Sequence, residues 1–574
     1  MTAPRRMRSS VIAPFALIDR LVQAQRWDAA VAALDALPEP LPTDGAALRR
    51  RRMALAIGGR VAEALETAER VAALPGSDAA DLQHLAHIRL RAGRPEAAFE
   101  AAERAIRQDP SLVRAFAVAI AATVLAPALL PRLRDLLGPA PDQDPTALPT
   151  AGHIRVAIPW RLPFYRPYSG PHPVITSALG QGSRVGARWA DLAAALEPAR
   201  ALALLPDLIA WAERVEPARR AALADFLVHR LPGAFFAVPA ADLTFHHTVP
   251  FALDGRPWIF HLEHPNMVAA PMATYPTVTL RTGDAQTVLL RERLGDPSCL
   301  GVFTHIRETR RRLGRLLDDS AVATKTAYIR LGIDLESFRL SGRPKAPAVR
   351  RAVTTLLFTN SLARDNFHAR GGPDVLAAFL HLAGRHDGLR LLMRSDLPAA
   401  GAEGLIGRSR RHPAVTWIRE RLSDGEIDAL YREADLFLLP SGLLHAVSIV
   451  RALRGGLALV ASDVYGVDEF IRHRVNGWVV PGRRASVTPR GVEDAVYAED
   501  CRSLLDPTAE PADPAFQRRF RAAIARLLDD PRLTGTIRRN ARQGAARDHQ
   551  GRRWAAEVSD FMERALGSRT EPSR

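Results

Sequence analysis

The chain has 574 residues, of which 47% are hydrophobic and 24% are charged, a composition typical of soluble globular proteins. This length is too great for a single hydrophobic core, so several domains are expected. Two cysteines, Cys299 and Cys501, exclude a disulfide framework and fit a reducing compartment. The net charge of +16 rests on 76 arginines, which indicates either GC-rich coding bias or attraction to phosphates or an anionic membrane surface. No basic stripe interleaved with aromatic residues is present, so nucleic acid is not expected as a partner.

The first part of the chain contains an internal repeat of 34 residues. Ala30, Ala64 and Ala98 stand 34 residues apart, and Gly59-Arg60 recurs at the same distance as Gly93-Arg94. Small residues at such positions let paired helices approach closely, and stacked pairs share one core. The period resembles that of tetratricopeptide repeats. The resemblance implies an all-α solenoid that binds a partner protein or serves a purely structural role.

Proline-rich segments divide the rest of the chain. We predict helical repeats over 1–126, a linker over 127–150, a first α/β domain over 151–340, a second over 341–566 that ends in helices, and a disordered tail over 567–574. Short apolar runs alternate with helical patterns in both α/β domains, which indicates parallel sheets. Within the first of these domains, the alanine- and leucine-rich segment Arg188–Val228 is predicted to be helical.

One segment in the second half predicts a β-α-β unit. The apolar run Leu436–Leu439 reads as a buried strand, Ser441 and Gly442 suit a helix start, and Leu457–Ala461 reads as a second buried strand. Such a unit makes the sheet parallel and the crossover right-handed. Because a helix N-terminus at the carboxyl end of a strand offers unpaired N–H groups, the turn Ser441–Ala446 is a candidate phosphate cradle.

This segment resembles the donor-binding half of the retaining family 4 glycosyltransferases. The matching residues are Ala434-Asp435, Pro440-Ser441, Ala452, Gly456, Ala461-Ser462-Asp463, Gly466, Glu469 and Asn476-Gly477. The resemblance implies two Rossmann-like domains in the GT-B arrangement, an acceptor-binding first domain and a donor-binding second domain. It also implies that the final helix crosses back to brace the first domain.

The resemblance implies a set of donor-binding residues. Two arginines in a glycine-containing loop after a strand would hold the donor diphosphate, since a guanidinium pairs well with phosphate oxygens. Glu469 would approach the donor sugar or brace its loop. The implied set is Arg364, Arg370, Gly371, Ser441, Gly442, His445, Arg451, Asp463, Gly466 and Glu469.

Two positions depart from the family pattern, because Leu443 and Arg451 replace its two glutamates. Arginine cannot accept a hydrogen bond. We therefore expect Arg451 either to face an additional negative group on the donor or to pair with an acid such as Asp463 or Glu469. The alternative is a pocket that no longer holds a nucleotide.

Three polar residues follow the strand-like run Trp258–His261 and are candidates for catalysis. His261, Glu263 and His264 would lie at the interdomain cleft, where the family has a histidine near the reacting sugar. Structural polar groups or metal ligands are the alternatives. We expect no metal, since no fourth ligand is evident and the family generally needs none.

The prediction is thus a glycosyltransferase that moves a sugar from an activated donor, typically a nucleotide diphosphate sugar, to a glycan, lipid-linked or protein acceptor, with bacterial cell-envelope polysaccharide among the options. The nucleotide sugar is a co-substrate, and no cofactor is expected. The alternatives are a catalytically inactive GT-B scaffold and a repeat-containing protein O-glycosyltransferase. A cytoplasmic location is expected, with peripheral contact to the inner membrane face and a protein partner at the repeats as further options.

Overall fold

The computed structural model describes residues 18, 27–36, 45–139, 154–160, 172–191, 197–236, 241–247, 253, 255–265, 281–333, 353–360, 366–395, 404–420, 422–482 and 513–567. The start of the predicted second α/β domain, residues 341–352, and the predicted tail beyond Gly567 lie outside these residues. Among the described helices, none combines the length and the apolar character needed to cross a bilayer.

The secondary structure of the N-terminal region is helical throughout its described residues, and the helices repeat every 34 residues. They are α1 (Trp27–Asp35), α2 (Gly45–Ile57), α3 (Val61–Ala72), α4 (Ala79–Arg91), α5 (Pro95–Gln108), α6 (Val113–Leu125) and α7 (Leu130–Leu137). Helices α1, α3 and α5 begin at residues 27, 61 and 95, and α2, α4 and α6 begin at 45, 79 and 113. Ala30, Ala64 and Ala98 are fully buried, as close helix packing requires. The glycines of the repeated turn, Gly59 and Gly93, both have positive φ.

The first α/β domain contains a six-stranded parallel sheet in the order β2-β1-β3-β4-β5-β6. Because the order reverses direction between β1 and β3, the carboxyl ends of these two strands mark the switch point of the sheet. The strands are β1 (Ile154–Trp160), β2 (Val185–Asp191), β3 (Leu243–His247), β4 (Trp258–His261), β5 (Cys299–Thr304) and β6 (Thr326–Tyr328). The helices are α8 (Pro173–Ala178), α9 (Leu205–Arg214), α10 (Arg220–Arg230), α11 (Ala285–Gly295), α12 (Arg307–Leu317) and α13 (Ser320–Thr324).

The predicted helical segment Arg188–Val228 is wrong at its start. Residues 188–191 belong to strand β2, which pairs in parallel with β1 from Val185 to Asp191. The main-chain hydrogen bonds of that pairing come from a distant segment, so local composition does not reveal them. Helices α9 and α10 occupy the later part of the segment, as expected.

The second α/β domain contains another six-stranded parallel sheet, in the order β12-β11-β10-β7-β8-β9. This is the doubly wound order in which the strand order reverses between β7 and β10. The strands are β7 (Thr354–Thr359), β8 (Leu389–Arg394), β9 (Val415–Ile418), β10 (Leu436–Leu439), β11 (Ala458–Ser462) and β12 (Trp478–Val480). The helices are α14 (Asn366–Ala369), α15 (Gly372–Ala383), α16 (Leu405–Arg411), α17 (Asp424–Glu433), α18 (Ala446–Gly455), α19 (Pro514–Asp529), α20 (Pro531–Asp548) and α21 (Gly551–Gly567). Two Rossmann-like domains after a helical region confirm the predicted fold class.

Helix α21 of the second domain packs on the first domain. Trp554 Nε1 donates to Val174 O at 3.0 Å, and the main-chain N–H of Arg184 donates to Ser559 Oγ at 3.0 Å. The Arg184 guanidinium pairs with Glu563 at 2.9 Å. The expected return of the final helix to the first domain is therefore confirmed.

The helical repeats and the first α/β domain share one hydrophobic core. Every residue of α6 from Ala115 to Val124 is buried, and this helix packs against α5 on one side and α10 on the other. Apolar residues of α9, α10 and α11 belong to the same cluster as those of the repeats. Part of the predicted linker is also helical, since α7 begins at Leu130 and buries Leu133. The repeats and the first α/β domain therefore bury apolar surface against each other.

This packing predicts the effect of removing the repeats. A truncated chain that begins at Ala151 should aggregate or unfold at a lower temperature than the full chain, because the apolar faces of α10 and α9 would be exposed. Thermal unfolding and size-exclusion chromatography measure this. A monomeric truncated chain with an unchanged unfolding temperature would show that the shared core contributes little.

Candidate active site

Two loops of the second domain meet at its switch point. Arg370 and Gly371 follow β7, while Pro440 and Ser441 follow β10. A Cβ atom on Gly371 would lie 2.2 Å from Pro440 O, and the φ of Gly371 is +77°. Only glycine fits such a conformation at such a distance. The first turn of α15 therefore lies directly against the turn that begins α18.

Arg370 lies beside the carboxyl end of β7, where Nη1 donates to Thr359 O at 3.2 Å. Burial is the main cause of the pKa shifts of Glu263 in the first domain, which is raised, and of His445 in the second, which is lowered. The positive charge of Arg370 reaches both groups as the next cause, opposing the rise at Glu263 and adding to the fall at His445. The predicted phosphate-binding arginine thus faces the cleft between the domains. The other predicted arginine, Arg364, lies outside the described residues.

The turn from Ser441 to His445 forms the start of α18. Ser441 Oγ accepts from Leu443 N at 3.1 Å, and Ser441 O accepts from the hydroxyl of Ser462 on β11. His445 occupies the N-cap position without a side-chain cap, so it leaves main-chain N–H groups of the first turn uncapped. Burial, together with the charge of Arg370, holds the pKa of His445 well below its usual value, and its Nε2 has no hydrogen-bond partner among the described residues. The turn beside Arg370 is therefore largely buried and uncharged, and it contains Ser441, Gly442 and His445.

Arg451 is held by acids other than the expected ones. Its side chain is only 7% exposed, and Nη2 lies 2.6 Å from Asp424 Oδ1 while Nε lies 3.6 Å from Asp428 Oδ1. Although burial opposes it, these carboxylates raise the pKa of Arg451. Pairing with an acid is one of the outcomes expected for Arg451, but the partners are Asp424 and Asp428 and not the suggested Asp463 or Glu469, because α17 packs beside α18.

Asp463, Gly466 and Glu469 shape a loop at the domain interface. Both Asp463 oxygens accept from Gly482 N at 3.1 Å, and Gly466 adopts positive φ next to Ile306 of the first domain. Glu469 accepts from Arg307 N at 2.9 Å and from Glu308 N at 3.1 Å, so its carboxylate caps α12 of the first domain. Glu469 is expected either to approach the donor sugar or to brace its loop, and these hydrogen bonds correspond to the bracing role.

His264 also joins the two domains. Its Nε2 lies 3.0 Å from Leu444 O, which can only accept, so Nε2 carries the proton. The other nitrogen, Nδ1, then accepts from the Tyr465 hydroxyl. Burial lowers the pKa of His264 to about 4, so the ring is neutral at physiological pH. Both nitrogens are engaged across the interface, which makes His264 a bracing residue in this arrangement.

His261 lies inside a row of histidines at the carboxyl edge of the first sheet. Its Nδ1 is 2.7 Å from Nδ1 of His247, and its Nε2 is 3.0 Å from Nδ1 of His305. His172 stacks on His247 with ring centroids 4.6 Å apart. Burial holds the pKa of His247 and His261 well below its usual value.

Glu263 ends this row of histidines. Burial raises the pKa of Glu263 to about 7 against the opposing charge of Arg370. Its Oε1 lies 3.9 Å from His305 Nε2 and has no hydrogen-bond partner among the described residues. Glu263 is therefore a cleft acid that the described part of the chain does not satisfy.

Several residues of the site escaped the sequence analysis. His247 ends a strand-like run and His305 directly follows one, so the carboxyl-edge rule that selected His261 could also have selected them. His172, Asp424 and Tyr465 carry no such signal, because only the tertiary fold brings them to the cleft and its interface.

Part of this chain is similar to a known protein family. Residues 355–494 match the family described as Glycosyl transferases group 1. No curated protein sequence matches the chain. Among solved structures, sucrose-phosphate synthase from Thermosynechococcus elongatus is 15% identical, with 61% of this chain and 80% of that chain covered and a TM-score of 0.40. Anabaena HepE in complex with UDP and glucose is 13% identical, with 72% and 100% covered and a TM-score of 0.42.

Of these three solved structures, an O-GlcNAc transferase mutant from Thermobaculum terrenum aligns with the largest share of this chain. It is 13% identical, covers 98% of this chain and 100% of its own, and has a TM-score of 0.29. The segment that matches the family model includes β7 from Thr355 onward, β10, Arg370, Gly371 and the start of α18. Within the second α/β domain, residues 355–494 are thus similar to the Glycosyl transferases group 1 family.

Proposed function

We propose that the protein is a glycosyltransferase that takes a sugar from a nucleotide diphosphate sugar and transfers it to an acceptor hydroxyl. One observation carries this proposal. At the switch point between β7 and β10, Gly371 lies in close contact with Pro440. This contact places Arg370 next to the uncapped start of α18. Ligands of doubly wound sheets bind at this position. The match of residues 355–494 to group 1 glycosyl transferases supports the same chemistry.

The proposed chemistry follows from charge. When the bond between sugar and diphosphate breaks, negative charge grows on the departing phosphate. The guanidinium of Arg370 and the main-chain N–H groups at the start of α18 lie where they can stabilise that charge. His445 adds a buried polar ring without a positive charge. In this proposal these groups bind the donor, with Ser441 and Gly442 shaping the turn.

On the opposite side of the cleft, Glu263 is the first-domain carboxylate within electrostatic reach of Arg370. We assign it to contact with the transferred sugar or with the acceptor hydroxyl. His261 does not face the cleft directly, since both its ring nitrogens contact other histidines. We therefore assign His261 and His264 positioning roles, which revises the catalytic roles expected from the sequence.

The proposal is tested with a panel of radiolabelled nucleotide diphosphate sugars and the purified full-length chain. Calorimetry measures donor binding, and release of nucleoside diphosphate measures turnover in the presence of glycan, lipid-linked and protein acceptors. We expect one donor of the panel to bind and to be turned over. Absence of binding by every donor would refute the proposal.

Arg370 provides a sharper prediction. Arg370→Ala should weaken donor binding by about 1.5–3 kcal/mol, the scale of a hydrogen bond to a charged group, which is roughly a 10- to 150-fold higher Kd. Loss of the bond to Thr359 O should cost about 1 kcal/mol of folding stability. Arg408→Ala, at an exposed position on α16, is the matched control and should leave donor affinity unchanged. Equal affinity of both variants would exclude Arg370 from the donor site.

A second candidate is a glycan- or nucleotide-binding protein without transferase activity. The observation in its favour is that Arg451 pairs with Asp424 at a position where the resembled family has a glutamate that accepts hydrogen bonds from the donor. Leu443, at the other glutamate position, is also buried, with 7% exposure. Donor binding without turnover on any acceptor would favour this candidate over the first.

A further inference from the structure

The switch point of the first sheet gathers metal-ligating side chains. His172 precedes α8 in the connection after β1, His247 ends β3, and Glu263 follows β4. One ligand atom from each of these three residues lies within 4.8 Å of the other two. Two imidazoles and one carboxylate form a typical set of protein ligands for a zinc ion that keeps an open fourth position.

The row of histidines behind this set determines which nitrogen of His247 can bind a cation. If His247 Nδ1–H donates to His261 Nδ1, then His261 Nε2–H donates to His305 Nδ1, over 2.7 Å and 3.0 Å respectively. His305 Nε2 then carries a proton and lies 3.9 Å from Glu263 Oε1, beyond hydrogen-bond distance. In this arrangement all three rings are neutral and Nε2 of His247 carries a lone pair. Metal-bound histidines are commonly oriented by such a hydrogen bond from the second nitrogen.

Glu263 supplies the second, independent observation. Its Oε1 is buried and has no hydrogen-bond partner within the described part of the chain. A buried carboxylate oxygen without a hydrogen-bond partner is costly, and a cation bound to it removes that cost. His172 contributes the remaining ligand, since one of its ring nitrogens lies within 4.8 Å of the ligand atoms of His247 and Glu263.

We propose that His172, His247 and Glu263 bind a divalent transition-metal cation of the Zn²⁺ class, with His261 and His305 as supporting residues. The ligand atoms around a tetrahedral zinc ion lie roughly 3.3 Å from one another. Binding therefore requires the ligand atoms of His172, His247 and Glu263, now within 4.8 Å of one another, to move closer by up to about 1.5 Å. The neighbouring positive charge of Arg370 lies on the other domain, across the cleft from Glu263. Oε1 of Glu263 binds the cation in this proposal, which leaves Oε2 for the sugar or hydroxyl contact assigned above. The metal site itself does not depend on the proposed transferase activity.

A second histidine cluster between the repeats and the first domain is a useful contrast. His87, Asp225 and His229 also bring ligand atoms within 4.8 Å of one another. There, however, the carboxylate already has partners, since Asp225 Oδ1 lies 2.8 Å from His87 Nε2 and 3.9 Å from Arg91 Nε. The Asp225 carboxylate therefore does not require a cation, and its contacts with His87 and Arg91 join α10 to α4.

The test uses the full chain, treated with a chelator, dialysed and titrated with Zn²⁺ by calorimetry and with Co²⁺ by visible absorption. The expected result is one equivalent of Zn²⁺ and ligand-field bands of four- or five-coordinate Co²⁺. His247→Ala and Glu263→Gln should weaken Zn²⁺ binding by 100-fold or more. His261→Ala should weaken it about 10- to 100-fold, as loss of a supporting hydrogen bond does.

His87→Ala is the matched control and should bind Zn²⁺ like the unmodified chain. Glu263→Gln changes almost no volume, so it tests the site even where His247→Ala fails to fold. The proposal is overturned if the unmodified chain binds no Zn²⁺, if Glu263→Gln binds it equally well, or if only His87→Ala loses it. Because the readout is metal binding, failure to find a sugar donor would not affect the result.

Discussion

Arg451→Glu should destabilise the second α/β domain by about 3–5 kcal/mol, the range for leaving a buried charge without its partner. The substitution would place a carboxylate beside Asp428, whose side chain is 5% exposed, in place of the guanidinium 3.6 Å away. The pairing with Asp424 adds little to this figure, because the Asp424 side chain is 62% exposed. Urea unfolding followed by tryptophan fluorescence measures the loss, and donor affinity should not improve.

Two controls make the Arg451 result specific. Arg410→Glu reverses the same charge at an exposed position on α16 and should change stability by no more than about 0.5 kcal/mol. Combining Arg451→Met with Asp428→Asn removes both buried charges and should recover much of the loss. If Arg451→Glu folded normally and bound a nucleotide sugar more tightly, the ion pair would be incidental and the pocket would be that of an ordinary family member.

Gly371→Ala should both destabilise the second domain and weaken donor binding. The residue has a φ of +77°, which costs a side-chain-bearing residue roughly 1–2 kcal/mol. Its new Cβ would also lie 2.2 Å from Pro440 O and 2.9 Å from Pro440 C, so main chain must move. This overpacking costs roughly 1–3 kcal/mol, so the total loss of folding stability should be about 3 kcal/mol. The displaced groups are Arg370 and the Ser441 turn, so donor affinity should fall together with stability.

Gly384→Ala is the matched control for this prediction. Gly384 caps the other end of α15 with a φ of −78°, and a Cβ there would meet nothing within 4 Å. We expect a change of no more than about 0.5 kcal/mol and no effect on donor affinity. A Gly371→Ala variant with normal stability and normal binding would mean that the two loops move apart readily, which contradicts a donor site built on their contact.

The sequence by itself determined the features that depend on local pattern. The 34-residue period predicted a helical repeat, because close helix packing imposes small residues at a fixed spacing, and helices begin at residues 27, 61 and 95. The apolar run Leu436–Leu439 predicted β10, since a strand buried on both faces excludes polar residues. The order of glycines, Ser441 and Asp463 indicated the resemblance to glycosyltransferases, and residues 355–494 match the Glycosyl transferases group 1 family.

Only the tertiary structure decided which charges and polar atoms become partners. Arg451 meets Asp424 and Asp428 because α17 packs beside α18, and no spacing along the chain encodes that contact. In the same way, Glu469 caps a helix of the other domain. The histidines at the first switch point come from separate strands and loops, joined only when parallel pairing aligns their carboxyl ends. Hydrogen bonds and ion pairs act over a few ångströms in space, whereas sequence patterns report only which residues face a core.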